Sequence, residues 1–131
     1  YGGYEDTSVL VDGRLMEPGA STVGPTWASR EEPGDHWVVL AWPTPRAVKE
    51  VEAHWAYFRG GYWTSRVLRL DTWDGQKWVE RWRSAGNPEA PATVIPVGGQ
   101  ATTRVRLVQP DGGGSPPRGP DIFWMDEITV R

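Results

Sequence analysis

No stretch of this 131-residue chain carries an apolar face at helical spacing over eleven residues or more. Short apolar segments alternate instead with turn-forming residues, since twelve prolines and sixteen glycines interrupt the sequence. Proline lacks a backbone N–H and glycine favours turns, so this punctuation opposes long helices. The pattern predicts an all-β protein with no helix longer than about two turns.

Seven segments have the length and composition of β-strands. The first, 36–42, is expected to end at Pro43 and Pro45, which cannot donate to a strand ladder. Asp74-Gly75 lies between two of the segments and predicts a tight hairpin turn. Strands at this spacing, with so many turns, indicate a β-sandwich. The other six segments are 47–55, 66–73, 77–82, 93–97, 102–108 and 122–130.

Length and composition exclude several classes of protein. A chain of this size forms one domain, here taken as 1–131. The net charge of −3 provides no basic field for nucleic acid or anionic membranes, and no apolar run is long enough for a transmembrane segment. The absence of cysteine excludes disulfides and thiolate chemistry. Because the chain begins with Tyr1, we expect a domain excised from a larger multidomain protein, monomeric when isolated.

Aromatic residues are concentrated in one segment. The chain has nine tryptophans, and 55–63 alone contains five aromatic residues with Arg59 and Gly60-Gly61 between them. Flat rings beside a guanidinium can stack on a sugar face and bind its hydroxyl groups, although the same rings could simply pack the core. Trp37 and Trp78 are assigned to the core, whereas Trp124 suits either role.

Three long segments lack strand patterns, namely 14–26, 55–65 and 110–121. Irregular loops of this size are usually functional or disordered. No catalytic motif accompanies them: His36 and His54 are the only histidines, and neither a Gly-x-Ser-x-Gly elbow nor a zinc-ligand spacing occurs. We therefore expect a protein without catalytic activity.

An ordered series of motifs runs along the chain: Asp12-Gly13, Trp27-Ala28-Ser29, His36-Trp37-Val38-Val39-Leu40, Trp42-Pro43, Val51, His54-Trp55, Trp73-Asp74-Gly75, Trp78, Arg104-Val105-Arg106-Leu107 and Asp126-Glu127-Ile128-Thr129-Val130. In their order and spacing these motifs resemble the discoidin domain, also called the coagulation factor V/VIII C-type domain. The resemblance covers about 8–130 and is nearest to bacterial members that are appended to glycoside hydrolases as carbohydrate-binding modules. The sequence departs from the family pattern at the insertion 15–25, at Pro25 and at 56–59, so the resemblance does not specify the ligand.

This resemblance implies an eight-stranded, galactose-binding-like jelly-roll sandwich with ligands bound by loops at one end. The expected function is a non-catalytic carbohydrate-binding module, secreted or on the cell surface, that targets an appended glycoside-active enzyme to a polysaccharide or glycan. A protein- or lipid-interaction adhesion module, or a structural β-domain packed on its own enzyme, remain alternatives. The expected ligand contacts are Arg14, Glu17, Tyr57, Phe58, Arg59, Tyr62, Trp63, Arg66 and Trp124.

The resemblance also implies a structural Ca²⁺ between the early Asp-Gly loop and the last strand. Asp12 and Glu127 occupy the acidic positions of that pattern, and calcium prefers such oxygen ligands. The ion would hold the first loop and the termini together. Alternatively, Asp12 opens a turn and Glu127 is a solvated strand residue.

The loop aromatics are expected to contribute affinity and little stability, because they fall outside the strand alternation and need not face the core. Replacing Tyr62 or Trp63 by Ala would then weaken glycan binding by about 1–3 kcal/mol. The melting temperature would move by only a few degrees.

Overall fold

The computed structural model describes residues 7–11, 13, 26–115 and 119–131. Asp12, Arg14 and Glu17, three of the predicted site residues, lie outside these described residues. The expectation of an all-β fold is confirmed, since the one helix in the described part is the 3-10 turn Thr7–Val11. That part contains no helix long and apolar enough to cross a membrane. The strands are β1 (Trp27–Ala28), β2 (His36–Trp55), β3 (Tyr57–Phe58), β4 (Gly61–Tyr62), β5 (Leu68–Trp73), β6 (Trp78–Ser84), β7 (Ala92–Gln109) and β8 (Trp124–Val130).

Six strands pair antiparallel in the order β1-β8-β2-β7-β5-β6, while β3 and β4 form a separate hairpin. The long strands β2 and β7 run through both layers of the sandwich. The segment 36–41 of β2 pairs with 104–109 of β7 beside β5 and β6, and 50–54 pairs with 92–96 beside β8. The main core lies between the two layers and contains Trp55 and Phe123, whose ring centroids are 6.1 Å apart.

The expectation that a strand ends at Pro43 and Pro45 is wrong, because β2 continues to Trp55. Both prolines lie between Ala41 and Arg46, where the register with β7 shifts. No residue of β7 is paired with β2 between Ala41 and Arg46, so the missing proline N–H groups remove no hydrogen bond from the β2–β7 ladder. This irregular stretch is where the strand passes from one layer to the other.

Two register shifts decide which residues face the core. In β2 the register shifts between Val48 and Glu50. The core-facing residues are even-numbered before this shift and odd-numbered after it, so Val51 and Ala53 face the core. In β8 the shift at Asp126 changes the core-facing positions from odd-numbered to even-numbered, because Met125 before the shift and Ile128 after it both lie in the core. One inserted residue reverses which side chains of a strand face the core. A sequence pattern with a regular period of two does not predict such a reversal.

The β5–β6 hairpin confirms the turn predicted at Asp74-Gly75. Gly75 has a φ of +101°, and Asp74 Oδ1 accepts hydrogen bonds from the N–H groups of Gln76 and Lys77, both at 2.8 Å. These bonds, first that from Lys77, lower the pKa of Asp74 because they stabilise its carboxylate.

The assignment of Trp37 and Trp78 to the core is wrong. Trp37 is 57% exposed and lies on the outer face of the sheet. Trp78 is half-buried, and its ring contacts the Trp73 ring at 5.2 Å outside the main core. The segment containing Trp37 is apolar on both faces, so its inward side, with Val38 and Leu40, was not distinguished by alternation.

Candidate functional site

Loops from several parts of the chain meet at one end of the sandwich. Gln109, fully buried at the end of β7, accepts a hydrogen bond from Ser65 Oγ at 2.6 Å and donates one to Ile122 O at 3.0 Å. Asn87 donates its side-chain amide to Ser65 O at 3.1 Å. These bonds join the predicted loop 55–65 to the two ends of the predicted loop 110–121 and to a further loop, 85–91, which the sequence did not single out.

The aromatic segment is a small β-hairpin rather than an irregular loop. Tyr57 pairs with Tyr62, and Phe58 pairs with Gly61. The two turn residues between them, Arg59 and Gly60, have φ values of +52° and +80°. Positive φ at both positions is typical of a type I′ turn, which matches the twist of the strands.

One face of this hairpin packs on a second, smaller core that includes Trp124. Phe58 and Trp63 contact the Trp124 ring with centroid distances of 5.6 and 5.2 Å. Trp124 is 6% exposed, and its indole N–H donates to Thr26 Oγ1 at 3.0 Å. The expectation that the loop aromatics need not face the core is therefore wrong for Phe58 and Trp63, and also for Tyr62, which packs against the main core.

The other face of the hairpin carries Tyr57 and Tyr62. Their rings are half-buried and meet edge to face at 5.0 Å. At the turn, the Arg59 guanidinium lies 5.2 Å from the centre of the Phe58 ring. The guanidinium covers one face of that ring. Tyr62 also packs against the main core, whereas Tyr57 belongs to neither core, so Tyr57 is the better ring for stacking on a ligand.

A cavity of about 290 Å³, which we call the loop cavity, lies next to the backbone of Tyr62. The Tyr62 N–H donates to Glu89 Oε2 at 3.3 Å, and Ser115 Oγ donates to Tyr62 O at 3.5 Å. Arg66 is exposed at the same cavity, so a guanidinium and a carboxylate share one opening. Its lining residues are Thr64, Arg66, Gly86, Asn87, Pro88, Glu89 and Ser115.

Glu89 is the site residue that sequence reasoning missed. It follows Asn87-Pro88 in a short polar segment between two strands, which predicts a loop and nothing more. Mutual hydrogen bonds between Thr64 and Ala90 bring this loop to the aromatic hairpin. This contact joins residues that are distant in the chain, so no local sequence pattern predicts it.

The two histidines make separate local contacts. His36 Nε2 lies 2.8 Å from Glu32 O, beside the start of β2. His54 Nε2 lies 3.6 Å from a carboxylate oxygen of Glu52, near the other end of that strand. Across the described ranges, no three His, Asp or Glu side chains gather in a metal-binding arrangement.

Glu127, predicted as a calcium ligand, is 5% exposed on β8. Its Oε1 accepts a hydrogen bond from the backbone N–H of Gly13 at 3.4 Å, so Gly13 lies next to the last strand. The neighbouring Asp126 is 3% exposed. The alternative of a solvated Glu127 is therefore wrong.

The sequence matches no protein-family model and no curated protein. Solved structures are similar to it in fold. Chitosan-binding module 1 from a Paenibacillus chitosanase/glucanase has a TM-score of 0.72 at 16% identity, over 99% of this chain and 87% of its own. The family 32 carbohydrate-binding module of Streptococcus pneumoniae EndoD has a TM-score of 0.70 at 15% identity, over 98% and 86%.

A third structure, the module CBM32-2 of a GH31 protein bound to GalNAc, has a TM-score of 0.71 at 10% identity, over 98% of this chain and 88% of its own. At these identities the likeness establishes the fold. The chain thus has an antiparallel β-sandwich fold like that of these carbohydrate-binding modules.

Proposed function

We propose that this domain is a non-catalytic carbohydrate-binding module whose ligand lies against the Tyr57–Tyr62 face of the hairpin. The observation that carries the proposal is the loop cavity next to the Tyr62 backbone, where Arg66 and Glu89 line one opening. Aromatic rings next to a donor and an acceptor suit a sugar, which has apolar ring faces and a rim of hydroxyl groups.

The expected affinity of such a site is modest. Each stacked ring contributes on the order of 1 kcal/mol, so a few contacts give micromolar to millimolar dissociation constants. Attachment to a second binding unit or to an enzyme on the same polymer would raise the effective affinity. We infer that the domain is secreted or displayed at the cell surface and targets an appended glycoside-active enzyme to its substrate.

The site is tested by affinity electrophoresis of the isolated domain in gels containing chitosan, galactan or a GalNAc-bearing glycan. We expect retardation by at least one of them and about tenfold weaker binding for Arg66→Gln, because a charge-assisted hydrogen bond is lost. Arg83→Gln, the same change on β6, is the matched control and should bind as the parent does.

Arg66→Gln binding as tightly as the parent would contradict the assignment of the site. Binding to phosphatidylserine vesicles without binding to any glycan would favour the lipid-interaction alternative. Melting curves of each variant separate lost contacts from lost folding.

We also propose that Glu127 and Asp12 hold a structural calcium ion. A buried carboxylate next to the backbone of Gly13 suits a hard cation that prefers oxygen ligands. The expected result is a melting temperature several degrees lower in EDTA than in excess Ca²⁺, since a ligand that binds the folded state stabilises it. Glu127→Gln should remove this difference. Equal melting temperatures in both solutions, with no metal by elemental analysis, would refute the site.

A further inference from the structure

A second surface, distinct from the loop cavity, lies on the outer face of the sheet. It consists of the exposed face of 36–41 in β2, 104–109 in β7, and strands β5 and β6. Along this face Ala41 pairs with Arg104, and Val39 pairs with Arg106. Trp37 and Val39 are 57% and 44% exposed. We call this the outer sheet face.

Two arginines of this face are stacked on tryptophan rings. The Arg104 guanidinium carbon lies 5.1 Å from the centre of the Trp73 ring, and that of Arg106 lies 4.5 Å from the Trp78 ring. The two indoles meet edge to face at 5.2 Å. Stacking fixes the plane of a guanidinium while its N–H donors remain at the edge, where they can bind a carboxylate in bidentate geometry.

Of these two guanidinium groups, Arg104 is the better placed for a ligand. Arg106 is bound to the buried carboxylate of Asp71 at 2.7 Å, and Arg69 binds the same carboxylate at 3.0 Å. Arg83 is paired with Glu80 at 2.7 Å. Arg104 is exposed, and within the described part of the chain no carboxylate is in ion-pair distance of it.

The outer sheet face therefore carries an excess of positive charge on a protein whose net charge is −3. Arg69 and Arg106 share the single carboxylate of Asp71, and Arg104 adds a further positive charge. Arg83 does not contribute to this excess, because Glu80 neutralises it. An exposed indole at Trp37 lies four strand positions from Ala41, the partner of Arg104, which is about 13 Å along the strand. The face has an anion-binding group at one end and a stacking group at the other.

We propose that the outer sheet face binds an acidic polysaccharide. A uronate carboxylate pairs with the edge of Arg104, and a sugar ring further along the same chain stacks on Trp37. Val39 and Ala41 form the apolar floor between them. The open, extended shape suits the middle of a polymer better than a chain end, and the site acts independently of the loop cavity.

The probe is polygalacturonate, measured by isothermal titration with the whole domain at low and moderate salt. Arg104→Gln is expected to weaken binding about tenfold or more, because a bidentate charge-assisted contact is lost. Arg104→Lys keeps the charge without the planar fork and should fall between the parent and Arg104→Gln. Trp37→Ala should weaken binding several-fold, and fully methyl-esterified galacturonan should bind at least tenfold more weakly than the acid form.

The matched control is Arg83→Gln, which removes the same charge from the same face and should bind within twofold of the parent. The proposal is overturned if Arg83→Gln weakens binding as much as Arg104→Gln, or if poly-glutamate binds as tightly as polygalacturonate, since either shows unspecific charge attraction. No binding of polygalacturonate also overturns it. Loss of binding in Arg66→Gln would assign the acidic glycan to the loop cavity instead. Binding of neutral glycans by the Arg104→Gln protein is measured separately, because it reports on the loop cavity alone.

Discussion

Trp63→Ala is expected to lower the free energy of unfolding by about 3 kcal/mol, and not merely to weaken ligand binding. The Trp63 ring contacts Trp124 at 5.2 Å, and its indole N–H donates to Phe58 O at 3.1 Å. Its removal opens a gap over the smaller core and frees the end of the hairpin. Urea unfolding followed by fluorescence gives the free energy, and affinity electrophoresis gives the effect on glycan binding.

Two further variants make this prediction specific. Tyr57→Ala removes a ring that belongs to neither core, so glycan affinity should fall with much less change in stability. Gly119→Ala perturbs the same ring, because an added Cβ would lie 2.6 Å from Trp63 and force the ring to move. We expect the free energy of unfolding to fall by about 1–3 kcal/mol. Gly86→Ala meets no atom within 4 Å and is the control for the stability measurement. A Trp63→Ala protein as stable as the parent would refute the packing role.

The second large effect is expected at Asp71, whose side chain is only 3% exposed between Arg69 and Arg106. Asp71→Asn keeps the shape of the side chain and removes its charge, which leaves two guanidinium groups close together without their common partner. Breaking a buried ion pair on one side costs about 3 kcal/mol or more. Urea unfolding measures this loss, and altered tryptophan fluorescence is expected because Arg106 also stacks on Trp78.

The comparison for Asp71 is the exposed pair of Glu80 and Arg83 on the same face. Both side chains are about half exposed, at 48% and 49%. Water screens such a pair, so Glu80→Gln should change stability by less than about 1 kcal/mol. Equal effects of Asp71→Asn and Glu80→Gln would mean that burial does not set the strength of the Asp71 interactions.

The candidate site was predictable only in part. The aromatic segment was found because rings, an arginine and glycines cluster in the sequence, and the structure brings Tyr57, Phe58, Arg59, Tyr62, Trp63 and Trp124 together. Arg66 reaches the neighbouring cavity with Glu89. Glu89 itself was not predictable, because it comes to Tyr62 through a contact between residues 27 positions apart.

The sequence by itself determined the class of the fold and the position of several strands and turns. Proline and glycine spacing opposed long helices, and Asp74-Gly75 specified a hairpin. These are local properties, since the allowed φ and ψ angles and the alternation of side chains depend on near neighbours.

The tertiary structure decided which face of each strand is buried and which aromatic rings are accessible. The register shifts at Val48–Glu50 and at Asp126 reverse the alternation. They exist because β2 must pair with β7 and β8 while it passes between two layers. Tertiary pairing also leaves Trp37 exposed and places Trp63 against Trp124. Burial depends on partners distant in the chain, and an apolar residue alone does not specify whether such a partner covers it.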